Sequence, residues 1–147
     1  MSELSVSIKR LDSSVELPSY AYEGDAGLDL RANADVVIEP YQRVLIPTGL
    51  AIAIPDGYAG FVQPRSGMAL KQGLSIANTP GLIDAHYRGE LKVIAVNLDS
   101  EKTIHIERGE RIAQLVIQQV PVVHLVEVDE LDETDRGCGG FGSSGSK

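Results

Sequence analysis

The chain has 147 residues, enough for one domain around one core. Its formal net charge of −8 disfavours nucleic acid and anionic membrane surfaces as partners unless a local basic patch overrides it. The single cysteine, Cys138, excludes an intramolecular disulfide and a cysteine zinc cluster, and no basic start leads into an apolar run of bilayer length, so a soluble, unprocessed, cytoplasmic protein is expected.

Short runs rich in Val and Ile predict strands at Val36–Ile38, Val44–Ile46, Leu50–Ile54, Leu91–Leu98, Ile112–Ile117 and Val122–Val128. Turn signals separate them: Pro55-Asp56-Gly57, Arg88-Gly89-Glu90, Asp99-Ser100-Glu101 and Arg108-Gly109-Glu110, at the spacing of an antiparallel sandwich or barrel. One short helix is predicted over Ser66–Gln72, where Met68, Ala69, Leu70 and Lys71 are good formers and Gly73 stops them. Near Leu131 the chain turns acidic and then glycine-rich, with few side chains to pack, so residues 1–132 are expected to form a β-barrel domain and residues 133–147 a mobile arm.

Several familiar sites are absent. Gly137, Gly139 and Gly142 have the glycine spacing of a dinucleotide fingerprint, but five residues cannot supply the helix and second strand it needs. No GxxxxGK[ST] loop occurs, and His86, His105 and His124 lack the spacing of a metal-binding pair.

Three polar constellations remain. Pro64-Arg65-Ser66-Gly67 stands where a strand hands over to the helix and offers a guanidinium, a hydroxyl and free N–H groups to one anion; the plain alternative is a helix cap beside a solvated arginine. Asn78 through Val93 carries Asn78, with a donor and an acceptor on one amide, and Asp84 close to Tyr87 in a bent segment that could grip a pyrimidine and its sugar. The alternative there is a turn aspartate and a half-buried tyrosine. Arg136 and Phe141 in the glycine-rich arm suit a lid over phosphate and base, against the alternative of a flexible tail.

In order and together, these segments resemble the trimeric dUTPase family. The five motifs correspond to Ala26-Gly27-Leu28-Asp29-Leu30-Arg31-Ala32, Pro64-Arg65-Ser66-Gly67-Met68-Ala69, Gly81-Leu82-Ile83-Asp84 through Tyr87-Arg88-Gly89-Glu90, Arg108-Gly109-Glu110-Arg111-Ile112-Ala113-Gln114-Leu115, and Arg136-Gly137 through Gly145. Two positions depart slightly: Cys138, where a small hydroxylic residue or Ala is commoner, and Met68, where Leu is commoner.

The resemblance implies a distorted antiparallel jelly-roll-like barrel, a homotrimer with sites shared between subunits, and Mg²⁺-dependent hydrolysis of dUTP to dUMP and pyrophosphate. That reaction keeps uracil out of DNA and supplies dUMP for thymidylate synthesis. It implies Asp84 as the base that activates water, and Asn78 with backbone at Gly81 and Ile83 as the uracil reader. Tyr87 would pack on the deoxyribose and exclude a ribose hydroxyl. Arg65, Ser66, Gly67, Lys92 and Gln114 would hold substrate, Asp29 would support the metal-water network, and Mg²⁺ would bind mainly through phosphates and waters. Arg136, Gly142 and Ser143 would close on the phosphate end, with Phe141 over the base. The nearest rival is a dCTP deaminase of related fold; from another class, a catalytically idle nucleotide-binding regulator would keep the same grip.

Overall fold

The computed structural model describes residues 3–147. In chain order its elements are β1 (Ser7–Arg10), β2 (Leu28–Arg31), β3 (Val36–Ile38), β4 (Arg43–Ala53), β5 (Tyr58–Pro64), α1 (Ser66–Gln72), β6 (Leu74–Ile76), β7 (Gly81–Ile83), β8 (Glu90–Asn97), β9 (Ile104–Ile106) and β10 (Arg111–Gln119). Two four-stranded antiparallel sheets, ordered β1-β4-β8-β6 and β2-β10-β5-β7, and a small β3-β9 pair give an all-β, jelly-roll-like fold.

Side-chain alternation decides which face each strand buries. Along β8, Leu91, Val93, Ala95 and Asn97 point inward while Lys92 lies outward, the period-two pattern of a half-buried strand. The inner faces meet through Leu30, Ile46, Leu50, Val62, Leu91, Val93, Ala113 and Leu115. At 0% exposure, the Asn97 amide donates to the carbonyls of Ile38 (2.9 Å) and Lys102 (2.8 Å), so its burial leaves no orphaned polar group.

The predicted helix matches α1 end to end. Gly73 closes it in the left-handed conformation (φ 73°), with its N–H directed at the carbonyls of Ala69 and Met68. Val36–Ile38 is likewise β3.

Two expectations change. The strands expected at Val44–Ile46 and Leu50–Ile54 are one strand, β4, because Pro47, Thr48 and Gly49 form an irregularity within the ladder to β8 instead of a turn. The run Val122–Val128, expected as a strand, has no strand partner among the described residues. The last tie to the barrel is Val120 N–H to the Gly57 carbonyl (2.8 Å), and the apolar side chains beyond it are exposed: a strand needs a neighbour, and apolar β-formers alone do not supply one.

Candidate functional site

A cleft opens where three neighbouring strands run side by side. Gln114 of β10 lies opposite Asp29 of β2 on one flank and Gln63 of β5 on the other. Immediately after Gln63 and Pro64 the chain leaves β5 at Arg65 and enters α1 at Ser66. Strand register thus brings residues from three remote parts of the sequence to one place: Asp29, Arg65, Ser66, Gly67 and Gln114 line the same cleft, together with Tyr22 and Gly27.

Two carboxylates line the cleft: Asp25 accepts the Tyr22 N–H at 2.9 Å, and Asp29 holds the arginines. Asp29 is 11% exposed; its Oδ1 lies 3.5 Å from Arg65 Nε and its Oδ2 lies 3.4 Å from Arg111 Nη1. Arg65 Nη1 donates to the Arg111 carbonyl at 3.2 Å, so the guanidinium is held from two sides, in a side chain that is 29% exposed. Such a fork, fixed on one edge and open on the other, is prepared for a phosphate. The N-cap of α1 is Arg65, with extended backbone (φ −84°, ψ 131°) and no side-chain cap. The first N–H groups of the helix and the exposed Ser66 hydroxyl therefore remain for an anion. A Cβ built on Gly67 would meet nothing within 4 Å, so this glycine keeps the approach open.

Gln114 is positioned by a close approach. Its Nε2 donates to the Pro64 carbonyl at 3.3 Å, and its side chain lies over Gly27, where a Cβ would come within 2.8 Å of Oε1. Sequence alone does not reveal the roles of Gly27 and Arg111: both lie in the family motifs, but their contacts depend on cross-strand register. The pairing of Arg111 with Arg31 and of Gln114 with Asp29 is the signal that identifies them.

A second network braces the loop leading to the cleft. Arg108 Nε donates to Asn33 Oδ1 (3.1 Å), and its Nη2 bonds Asp12 Oδ2 (3.3 Å) and the Ser14 hydroxyl. The Ser14 hydroxyl and N–H, with lesser help from Asn33 and Arg108, hold the Asp12 carboxyl down at about 2.

Other expected site residues lie on separate surfaces of the chain. Gly81 and Ile83 belong to β7, an outer strand of its sheet, paired to β5 through Val62↔Gly81 and Gly60↔Ile83. Its other edge presents peptide N–H and C=O groups outward. The exposed Asn78 side chain lies beside Gly81, 3.5 Å from where a Cβ would stand. Asp84 is exposed just past β7, and its carbonyl accepts the Tyr87 N–H (3.1 Å), closing a turn. His86 Nε2 lies 2.7 Å from Asp56 Oδ1, tying that turn to the β4–β5 connection. Lys92 is exposed on the outward side of β8.

The arm is separate again. Arg136 Nε donates to its own segment at the Gly139 carbonyl (2.9 Å). Phe141 is fully exposed, and turns closed by Ser143 N–H to the Gly140 carbonyl (3.1 Å) and by Gly145 N–H to the Gly142 carbonyl (2.9 Å) shape the end. Neither the arm nor the Asp84 turn contributes a lining residue to the cleft around Asp29.

Among the described residues no three His, Cys, Asp or Glu side chains converge as a metal cage, and no helix is long and apolar enough to cross a membrane.

Residues 13–145 match the dUTPase family. The chain is 56% identical over 140 residues to the deoxyuridine 5'-triphosphate nucleotidohydrolase of Corynebacterium glutamicum, covering 95% of this chain and 94% of the relative. It is equally similar, at 56% over 140 residues, to the protein of that name from Corynebacterium diphtheriae, covering 95% and 92%. Among solved structures, a variant of the Staphylococcus bacteriophage 80alpha dUTPase with dUpNHpp superposes with a TM-score of 0.90 at 33% identity, covering 97% of this chain and 99% of that one. A variant dUTPase from phage phi11 of S. aureus, described for its coordination of a structural Mg(II) ion, superposes with a TM-score of 0.81 at 28% identity, covering 88% and 100%.

Proposed function

The chain belongs to the dUTPase family, and we propose that it is a dUTP diphosphatase in which Asp84 activates the water that attacks the α-phosphorus. The observation that carries the reading is the cleft around Asp29, where a doubly held guanidinium, an uncapped helix start and Gln114 converge. In a chain of net charge −8, a triphosphate must be met by local cations, and Arg65 supplies one at the required place.

Each group then has a task. Arg65, Ser66 and Gly67 grip phosphate oxygens, and Gln114 orients phosphates or their waters. Asp29 keeps Arg65 in position. Asn78 and the open edge of β7 at Gly81 and Ile83 read the uracil edge as a base-pairing partner would. Tyr87 packs on the sugar, and Lys92 adds positive charge from the outer face of β8. A general base in the position of Asp84 contributes about 10²–10⁴ in rate. Arg136, Gly142 and Ser143 close on the terminal phosphates with Phe141 over the base, and preorganised charge of this kind is worth roughly 3 kcal/mol per donor.

The donor set in the cleft also suits Mg²⁺. Asp29, Ser66 and Gln114 are hard oxygen donors on one wall, and Asp29 and Gln114 would hold the ion's water shell while the triphosphate supplies direct ligands. When bound, the ion neutralises phosphate charge.

The cleft, the Asp84 turn and the arm are three parts of one nucleotide site that do not meet within a chain. We therefore propose a homotrimer in which neighbouring copies complete each site, with residues 1–132 as the barrel and 133–147 as the closing arm. The exposed apolar run Val122, Val123, Leu125, Val126, Val128 and Leu131 supports assembly, since a surface of this kind is costly to leave in water. The work of such an enzyme is on the cytoplasmic nucleotide pool, keeping uracil out of DNA and supplying dUMP for thymidylate synthesis, with no need for nucleic acid or membrane.

The test is Mg²⁺-dependent pyrophosphate release across dUTP, dTTP, dCTP and UTP, with ammonia measured in parallel. Release from dUTP alone is expected. Ammonia from dCTP would indicate a deaminase, and tight dUTP binding without products would indicate an idle regulator.

A further inference from the structure

Tyr87 spends its hydroxyl inside the protein. Its Oη donates to the Glu90 carbonyl at 2.8 Å, and its backbone N–H closes the turn onto Asp84. The residue is 45% exposed, and what it can offer a ligand is therefore its ring rather than its hydroxyl. A ring face is a steric filter, and it discriminates only as well as it is held.

The ring is held by a missing side chain. A Cβ on Gly89 would lie 2.6 Å from Tyr87 Cζ and 2.8 Å from Cε1, and closer still to Oη. No other residue contributes to that overlap among the three nearest atoms, and Gly89 does not have the left-handed backbone that would by itself demand glycine. Its lack of a side chain is thus a matter of space for this ring. Any side chain at residue 89 pushes the ring outward and breaks its bond to Glu90. Glu90 itself is fixed, since it pairs with Ala51 of β4 and its carboxylate accepts the Gly49 N–H at 3.3 Å.

We infer that Gly89 is a specificity-positioning residue: the space left by its absent side chain seats the Tyr87 ring with its hydroxyl on the Glu90 carbonyl, and this seating sets the rejection of ribonucleotides. The inference rests on the proposed function and adds to it a residue that touches no substrate.

The experiment measures kcat/KM for dUTP and UTP in the wild-type chain, Gly89→Ala, Tyr87→Ala and the double variant. Gly89→Ala should keep the wild-type melting temperature, because the displaced ring swings into solvent, and should lower the dUTP/UTP preference by about tenfold or more. In the Tyr87→Ala background it should change the preference by less than about twofold, as expected for a residue acting through that ring. An unchanged preference in folded Gly89→Ala overturns the inference, and so does an equal loss in the Tyr87→Ala background. Should Gly89→Ala not fold, Tyr87→Phe carries the test: it keeps the ring and removes the Glu90 anchor, so the preference should fall, and an unchanged ratio overturns the inference. A wild-type chain that leaves dUTP intact would instead defeat the functional reading itself.

Discussion

Asp29 Oδ1 lies 3.5 Å from Arg65 Nε, joining the second strand of the barrel to the residue that opens its only helix among the described residues. The same carboxylate reaches Arg111, so one partly buried anion fixes two guanidinium groups. Asp29→Asn removes the charge and leaves Arg65 held only through its bond to the Arg111 carbonyl. The ion pair to Arg65 is long, but the loss of positioning at the phosphate site adds to the loss of its charge, so kcat/KM for dUTP should fall by roughly tenfold, read by steady-state pyrophosphate release. Wild-type values would mean that Arg65 needs no such support.

Asp84 is exposed in a turn fixed by the Tyr87 N–H. Asp84→Asn preserves shape but exchanges one acceptor oxygen for a donor amide and cannot take a proton. Binding of a non-hydrolysable dUTP analogue, measured by calorimetry, should persist while kcat drops by about 10²–10⁴. Near-wild-type kcat would remove Asp84 from its role.

The arm makes only local hydrogen bonds after Thr134. Deleting residues 135–147 should therefore leave the melting temperature unchanged and, on the proposed closure that brings Arg136 to the phosphates, lower turnover of dUTP by about 10²-fold or more. Normal hydrolysis by the truncated chain would contradict a closing role.

The Asp12 carboxyl, held at about 2 against an ordinary 3.8, adds acid-sensitive stability. A depressed folded-state value means that this contribution is complete above the ordinary value and is lost as pH falls toward about 2. Asp12→Asn should lower the melting temperature at neutral pH, and the gap from wild type should close between those two values. A gap that stays constant across that window would assign the effect to packing.

The sequence was most legible where a local rule suffices. Helix formers ended by Gly73 define α1, and Val36–Ile38 defines β3. It was least legible where tertiary pairing decides. Pro47 and Gly49 resemble a turn but are absorbed into β4 by pairing with β8, and Val122–Val128 has the composition of a strand without a partner among the described residues. Of the four three-residue strands only β3, Val-Val-Ile, is a run of β-branched residues, whereas β6, β7 and β9 carry Ser, Gly or His and owe their form to their neighbours. The site follows the same division. Asp29, Arg65, Ser66, Gly67 and Gln114 were singled out as motif residues and do meet in one cleft, whereas Arg111, Gly27 and Gly89 matter through contacts that only register and loop geometry create.

The most direct test of water attack at the α-phosphorus is hydrolysis of dUTP in isotopically labelled water, followed by mass spectrometry of both products. The account predicts the heavy oxygen in dUMP and none in pyrophosphate. Label in pyrophosphate would place the attack on the β-phosphorus and contradict it.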